Sequence, residues 1–206
     1  MTHPAFSDPS LPRWPAPERN KEPLLTVLRT LLPAQATVLE LASGTGQHAA
    51  WFAHHSPEWQ WHPTDLSSDN RASIDRWVAA LAAPNLHPAQ PLDARSETWP
   101  LSHADAIVCS NMAHISPWSA TAGVLAGAAR LLGDDGWLVF YGPWRFRGVH
   151  ISESNAQFDA SLRQRDPQWG VRDVLELELA AAPFGFSVQR EIVMPANNHV
   201  LALSRR

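Results

Sequence analysis

Residues 38–50, VLELASGTGQHAA, have the composition of a ligand-binding turn. Apolar residues and Glu40 precede Gly44 and Gly46, after which a helical pattern resumes. Glycines at such a turn permit positive φ and let a ligand approach the backbone without a Cβ in the way. The spacing Gly44-x-Gly46-x-x-Ala49 also satisfies the dinucleotide fingerprint, but a purely structural turn can carry two glycines as well. The turn therefore predicts a ligand site only where other residues support it.

Two aspartates supply that support. Asp65 closes the second strand-like run about 20 residues after the turn, where a carboxylate can accept hydrogen bonds from both hydroxyls of a ribose. Asp93 ends the third run and could accept a hydrogen bond from an adenine amino group. Either aspartate could instead cap a helix, which is a common role for this residue type. We favour the ligand role for both.

His114 and Tyr141 are the candidates for proton transfer. His114 lies just past the fourth strand-like run, at the edge where such sheets bind ligands, and an unperturbed histidine suits the role of base near neutrality. The alternative is a histidine that is hydrogen-bonded locally within the loop. Tyr141 closes the fifth run at the same edge and is the weaker candidate, because it suits a wall residue better.

An acceptor pocket can be outlined from topology. If the last strand runs antiparallel, the loop at 194–198 returns to the carboxyl edge and brings Asn197 and Asn198 above the ligand. Their amides could orient a polar acceptor. Trp118 and Trp144 follow strand ends and could form apolar or cation-binding walls, although most tryptophans are core residues.

These residues need a sheet whose strands alternate with helices. Short apolar runs alternate with longer periodic ones, which is typical of parallel strands joined by helical crossovers. A helical region at 153–182, with a break near Asp166 and Pro167, precedes two β-rich runs that read as an antiparallel hairpin. The pattern predicts a doubly wound, Rossmann-like α/β sheet of seven strands with a C-terminal hairpin. The predicted strands are 37–41, 59–64, 86–92, 104–110, 136–142, 184–193 and 199–204, and the predicted helices between the strands are 46–55, 71–83 and 117–132.

The N-terminus differs from the rest in its proline content. Residues 1–17 carry five prolines, too many for helix or sheet, so they predict an extended arm that is either a disordered tail or a strap over a site. Asn20 is predicted to cap the first helix, with Pro23 in its first turn. Residues 18–206 then form one domain.

Composition excludes several classes of protein. The chain has 206 residues, of which 45% are apolar and 17% charged, with no apolar run long enough for a membrane span. A formal net charge of −4 disfavours nucleic-acid binding. The single cysteine, Cys109, and the absence of a secretion signal favour a reducing, cytoplasmic setting. The histidines lack metal-binding spacing, so no metal site is predicted. The oligomeric state is left open.

Several motifs resemble a known group. Glu40-Leu-Ala-Ser-Gly-Thr-Gly46, Asp65, Asp93-Ala94 and the run from Ala104 to Trp118 look like motifs of class I S-adenosylmethionine-dependent methyltransferases. More narrowly, the segments ERNKEP, ASGTGQH, NMAHISPW, YGPW, SNAQFD, DPQWGVRD and MPANN resemble the uncharacterised methyltransferase-like protein 26 family. One position departs from the general class: Ala42 stands where a glycine is usual, so its backbone should avoid strongly positive φ.

The resemblance implies S-adenosylmethionine as cofactor and methyl transfer to a small molecule. Glu40 would bind the cofactor's ammonium, Asp65 would hold its ribose, and Arg19 could reach its carboxylate if the N-terminal segment folds over. The remaining cofactor-binding residues implied are Ala42, Ser43, Gly44, Gly46, Leu66, Asp93, Ala94, Asn111 and Met112.

Two alternatives remain open. One is a catalytically silent protein that binds or senses S-adenosylmethionine. The other is a nicotinamide-binding protein, although the Tyr-x-x-x-Lys pair of short-chain reductases is missing, because Tyr141 and Lys21 are the only tyrosine and lysine. The Asn/Asp-Pro-Pro-Tyr motif of amino-directed DNA and glutamine methyltransferases is also missing, as is the Gly-x-Ser-x-Gly turn of hydrolases.

Overall fold

The computed structural model describes residues 3–205. Its central feature is a seven-stranded sheet flanked by six helices. The strands are β1 (Ala36–Leu41), β2 (Trp59–Asp65), β3 (Gln90–Pro91), β4 (Ala104–Ser110), β5 (Leu132–Gly142), β6 (Arg145–Phe146), β7 (Val149–His150), β8 (Phe186–Met194) and β9 (Asn198–Arg205). The helices are α1 (Pro15–Leu31), α2 (Gln47–His55), α3 (Ser68–Leu81), α4 (Trp118–Leu131), α5 (Glu153–Arg165) and α6 (Val174–Ala181).

The strand order places a ligand site at the centre of the sheet. The order is β3-β2-β1-β4-β5-β9-β8, and β6 pairs with β7 in a separate small hairpin. The first five strands of that order are parallel, whereas β9 is antiparallel to both β5 and β8. The chain order reverses between β1 and β4, and ligands bind at such a switch point, outside the carboxyl ends of the strands. The predicted doubly wound sheet with its C-terminal hairpin is confirmed.

Both faces of the sheet are covered, as the apolar strand sequences require. Val38 packs with the buried residues of α1, α2 and α3, while Leu39, one residue later, packs with those of α4 and α6. Successive side chains of a strand point to opposite faces, so one run of apolar residues serves two cores.

The first helix begins earlier than the sequence predicts. It starts at Pro15 with Trp14 as its N-cap, so Asn20 lies inside the helix and is not its cap. Proline suits this start, because the N–H groups of a first helical turn have no intrahelical partner. Pro23 lies in the helix interior. The predicted arm is thus shortened to the residues before the helix, and these include a 3₁₀ turn at Pro4–Ser7.

Two other predictions are wrong in detail. The strand expected at 86–92 reduces to Gln90–Pro91, with one isolated bridge between Leu86 and Trp61. Pro88 and Pro91 explain this, since proline donates no ladder hydrogen bond. The backbone of Ala42 has φ 52°, in the left-handed region that the sequence was expected to avoid. The predicted break near Asp166 is confirmed, because it separates α5 from α6.

Candidate functional site

A cavity of about 770 Å³ opens at the carboxyl ends of β1, β4 and β5. Its volume lies in the upper part of the range for small-molecule pockets. The strand ends form its floor, and three elements cover it: the first turns of α1, one face of α5, and the turn between β8 and β9. The sheet topology therefore places this cavity at the predicted edge.

The glycine turn after β1 is held by its own backbone. The Ser43 N–H donates to Thr64 O (2.9 Å), and the Gly46 N–H donates to Ser43 O (3.0 Å). Gly44 and Gly46 have φ of 58° and 84°. A Cβ on Gly46 would lie 2.8 Å from the Ile74 Cα, so this glycine allows α3 to pack closely against the turn. Ala42, Ser43 and Gly44 line the cavity, whereas Gly46 does not.

Asp65 fixes the same turn from the neighbouring strand. Its Oδ2 accepts a hydrogen bond from the Gly44 N–H (3.0 Å), and its Oδ1 accepts one from the Ser67 N–H (2.9 Å). The cap of α3 is Ser67, so Asp65 does not have the capping role that was its alternative. Asp65 is 6% exposed and is not among the residues that line the cavity, and these two bonds use two of the roughly four acceptor positions of its carboxylate.

Glu40 is the buried acid of the cavity. Its side chain lines the cavity, and its Oε2 accepts a hydrogen bond from the Trp61 indole N–H (3.0 Å). Burial raises the pKa of Glu40 to about 7, which the Trp61 hydrogen bond only partly offsets. A cation placed beside Glu40 would stabilise the ionised form. The site thus contains a carboxylate that suits an ammonium group.

Three further predicted cofactor residues lie outside the cavity lining: Leu66, and Asp93 and Ala94, which were expected to frame the adenine. Leu66 is 65% exposed next to Asp65, and the Ala94 backbone packs against Gly123 of α4. The Asp93 carboxylate is engaged by Arg95, whose Nη2 lies 2.6 Å from Oδ2 and whose backbone N–H donates to Oδ1. These bonds, chiefly the side-chain one, lower the pKa of Asp93. The pairing leaves Asp93 poorly placed to accept an adenine amino group.

Three other predicted cofactor residues do reach the cavity: Arg19, Asn111 and Met112. Asn111 adopts φ 61°, a conformation that asparagine tolerates, and its N–H donates to Tyr141 O (2.7 Å). Arg19 arrives from the first turns of α1. These positions agree with the sequence hypothesis that the N-terminal segment folds over the site.

The structure does not place His114 where a general base would act. The side chain is 1% exposed and lies outside the cavity lining. Its Nδ1 accepts a hydrogen bond from the Arg172 N–H (3.2 Å), so the proton of the neutral ring resides on Nε2. Burial lowers the pKa of His114 to about 3. The local hydrogen-bonding alternative fits this geometry.

Tyr141 is the predicted proton-transfer residue that reaches the cavity. Its hydroxyl accepts a hydrogen bond from Asn20 Nδ2 (3.1 Å), and Asn20 Oδ1 lies 2.6 Å from His48 Nε2. Burial raises the pKa of Tyr141, so the hydroxyl keeps its proton at neutral pH. Because Asn20 donates to the hydroxyl oxygen and does not accept from it, the Tyr141 O–H is available as a hydrogen-bond donor to a bound ligand.

Of the four residues predicted to form the acceptor pocket, only Asn198 lines the cavity. Trp144 is fully buried against His114, and Trp118 lies under the Arg172 guanidinium (5.5 Å to the ring), so neither lines the cavity. Asn198 lines it, as predicted from the returning hairpin. Asn197 instead tethers the turn to α5, through its carbonyl, which accepts from Asn155 Nδ2 (2.9 Å).

Sequence reasoning missed most of the covering residues. Two motifs quoted only for the family resemblance contain lining residues. ERNK contributes Asn20 beside the predicted Arg19, and SNAQFD contributes Asn155 and Phe158. No periodicity marked Arg165 or Trp14 as cavity residues. The lining residues that were not predicted include Trp14, Asn20, His48, Ile115, Phe158, Leu162 and Arg165.

Within residues 3–205, no helix is both long enough and apolar enough to cross a membrane. The same residues contain no group of three or more histidine, cysteine, aspartate or glutamate side chains that could hold a metal ion.

The fold is similar to that of solved methyltransferases. One is an O-methyltransferase family protein from Burkholderia thailandensis, with 18% identity and a TM-score of 0.77 over 92% of this chain and 57% of that chain. Another is CalO1, a methyltransferase of calicheamicin biosynthesis with SAH bound, with 16% identity and a TM-score of 0.71 over 91% of this chain and 54% of that chain. A third is an O-methyltransferase family 2 protein from Planctomyces limnophilus in complex with apigenin, with 16% identity and a TM-score of 0.74 over 90% of this chain and 62% of that chain. The TM-scores show a shared fold, and at such low sequence identities the similarity shows the fold alone.

The chain spans a little over half the length of those structures. A family model described as protein of unknown function (DUF938) matches residues 12–205, from the segment before α1 to the end of β9. The chain therefore belongs to the DUF938 family, and its sheet has the fold of class I methyltransferases.

Proposed function

We propose that this protein is an S-adenosylmethionine-dependent methyltransferase that acts on a small molecule. The observation that carries the proposal is Glu40, a buried carboxylate that lines the cavity beside the glycine turn and that no cation of residues 3–205 pairs with. A ligand with an ammonium group beside a ribose fits Glu40 and Asp65 together. The solved structures of similar fold, one with SAH bound, support this choice of ligand.

The residues present fit the ammonium, the carboxylate and the ribose of the cofactor, while no described side chain is assigned to the adenine amino group. Glu40 would bind the ammonium, Arg19 the carboxylate and Asp65 the ribose hydroxyls, while Leu66 and Met112 offer apolar surface to the base. Arg19 has no hydrogen bond or ion pair with another described residue, so its guanidinium is available. The narrower likeness to the methyltransferase-like protein 26 family is part of the proposal, because its ERNK and SNAQFD motifs meet at the cavity.

The bound cofactor would supply a methyl group on a sulfonium sulfur, and in-line attack on the methyl carbon would break the C–S bond and leave the sulfur as a neutral thioether. The chain's own residues then need mainly to bind and orient the acceptor, because positioning lowers the barrier of such a displacement. Tyr141 would donate a hydrogen bond to an oxygen of a bound ligand, with Asn20 and His48 fixing its hydroxyl. The covering elements would keep water from the reacting atoms.

The first test is ligand binding measured by thermal shift. S-adenosylhomocysteine at about 100 times its Kd should stabilise the fold by about 2.7 kcal/mol. For a chain of this size that is a rise in Tm of about 5–10 °C. NADH should give no rise. The variant Asp65→Asn should lose most of the protection, because the amide replaces one acceptor oxygen by an NH2 group, which can accept neither from a ribose hydroxyl nor from the Gly44 or Ser67 N–H.

The matched control is Asp69→Asn, a change of the same kind on an exposed residue of α3 that lies outside the cavity. It should retain full protection. Equal protection of Asp65→Asn and the wild type would contradict the assigned ribose contact, and protection by NADH alone would contradict the proposal itself. Incubation with labelled S-adenosylmethionine and a metabolite extract then tests transfer. A protein that binds the cofactor but labels no metabolite would be a binder and not an enzyme.

A further inference from the structure

Helix α5 turns one face toward the cavity. From Asn155 onward its lining residues are spaced by three or four positions, which puts them on one side of a helix. That face changes character along its length, from polar at the start of the helix, through apolar, to cationic at the end. The lining residues of α5 are Ser154, Asn155, Phe158, Leu162 and Arg165.

The cavity mouth is apolar and includes aromatic rings. Trp14, Ile115 and Phe158 are 52%, 43% and 40% exposed, and all three line the cavity. Large apolar side chains that remain exposed together at a concave surface are typical of a ligand site. Two of the three are flat rings, which suit contact with a flat apolar molecule.

Arg165 brings a positive charge to this apolar mouth. The Arg165 side chain has no hydrogen bond or ion pair with any of residues 3–205. Arg163, two residues earlier on α5, is paired with Asp159 (3.1 Å), and the neighbouring Asp166 accepts from the Gln168 N–H. The nearby acids are thus engaged elsewhere, and the Arg165 guanidinium is left unpaired.

The charges lining the cavity do not balance without a second anion. Among the described residues, Glu40 is the only acid in the lining, and Arg19 and Arg165 are its two guanidinium groups. Under the proposed function, the cofactor's ammonium pairs with Glu40 and its carboxylate pairs with Arg19. Arg165 then remains, and guanidinium groups bind carboxylates through paired hydrogen bonds.

We infer that the covering half of the cavity is the acceptor subsite, that it takes a flat apolar acid, and that Arg165 binds the acid's carboxylate. Phe158 contacts the apolar body of the acceptor, and Trp14, whose ring lies against Gly44, closes the side nearer the glycine turn. The inference rests on the proposed function, since it assigns the acceptor to the space that the cofactor leaves.

The test compares two probes of the same shape and different charge, naphthalene-2-carboxylate and naphthalene-2-carboxamide. Their affinities are measured by calorimetry with and without saturating S-adenosylhomocysteine. The wild type should bind the carboxylate about tenfold more tightly than the carboxamide, as expected for a charge-assisted hydrogen bond. Arg165→Gln should reduce that ratio to about one and leave the affinity for S-adenosylhomocysteine unchanged.

The matched control is Arg190→Gln, because Arg190 is also exposed and unpaired but lies on β8, outside the cavity. It should keep the wild-type ratio. Phe158→Ala should weaken both probes alike. Equal affinities for the two probes in the wild type, or an unchanged ratio in Arg165→Gln, would overturn the inference. If S-adenosylhomocysteine itself fails to bind the wild type, the proposed function fails, which the first titration shows separately.

Discussion

The protonation state of the Glu40 carboxyl should affect both ligand binding and stability. Burial raises the pKa of its carboxyl to about 7, so below that pH the free protein holds Glu40 mostly neutral. The raised pKa also means that the folded state binds the proton more tightly than the unfolded state. This residue alone therefore makes stability fall as pH rises from about 4.5 to about 7.

An ammonium ligand needs the ionised form, so its binding should release a proton. At pH 6 we expect S-adenosylhomocysteine to release close to one proton, with an affinity that falls about tenfold per pH unit further down. Calorimetry in two buffers of different ionisation enthalpy measures this release. Glu40→Gln should abolish it and weaken binding, whereas Glu58→Gln, on the exposed segment before β2, should behave as the wild type. Binding at pH 6 without proton release would show that Glu40 does not face the ammonium.

At the scale of single residues, a local pattern indicated where Glu40 and Asp65 lie, but not what surrounds Asp93 and His114. Asp65 and Glu40 have roles set by the strand and turn that contain them, which a local pattern reveals. The environment of His114 depends on residues 170–172, whose backbone covers the ring and donates to its Nδ1. Such a contact across more than 50 residues has no local signal in the sequence.

The strand–turn–helix element after β1 depends on one glycine for packing. Gly46 has φ 84° and would place a Cβ against the Ile74 backbone of α3. Gly46→Ala should therefore lower the free energy of unfolding by at least the roughly 1–2 kcal/mol that a left-handed alanine costs. It should also weaken S-adenosylhomocysteine binding, because α3 and the turn must separate. Denaturant unfolding and thermal shift measure the two effects.

Gly133 is the control for this substitution, since a Cβ there would meet nothing within 4 Å. Gly133→Ala should change stability by only a few tenths of a kcal/mol. If the two variants were equally stable, the close packing of α3 on the turn would not be a constraint on this element.

Element types were predictable where a strand or helix is fixed by its own pattern. The strand at 104–110 was predicted with the bounds that the structure shows, because it is a central strand with a continuous apolar run. The edge strand β3 was overestimated, since prolines limit its pairing, and α1 was started too late, since prolines at a helix start were taken as breakers. How α1 and α5 close over the sheet was not predictable, because that arrangement depends on tertiary contacts such as the Asn20–Tyr141 hydrogen bond.

For the molecule as a whole, buried neutral histidines should govern acid stability. Burial lowers the pKa of His48 and of His62 to about 4 and that of His114 to about 3, so the unfolded chain binds more protons than the folded one below about pH 6.5. Glu40 acts in the opposite direction with one proton, which leaves a net uptake of about two protons on unfolding near pH 5. The Tm measured by calorimetry should therefore fall steadily from pH 7 to pH 5. His48→Gln should reduce the slope. A Tm that is constant or higher at pH 5 would mean that these histidines are not held neutral.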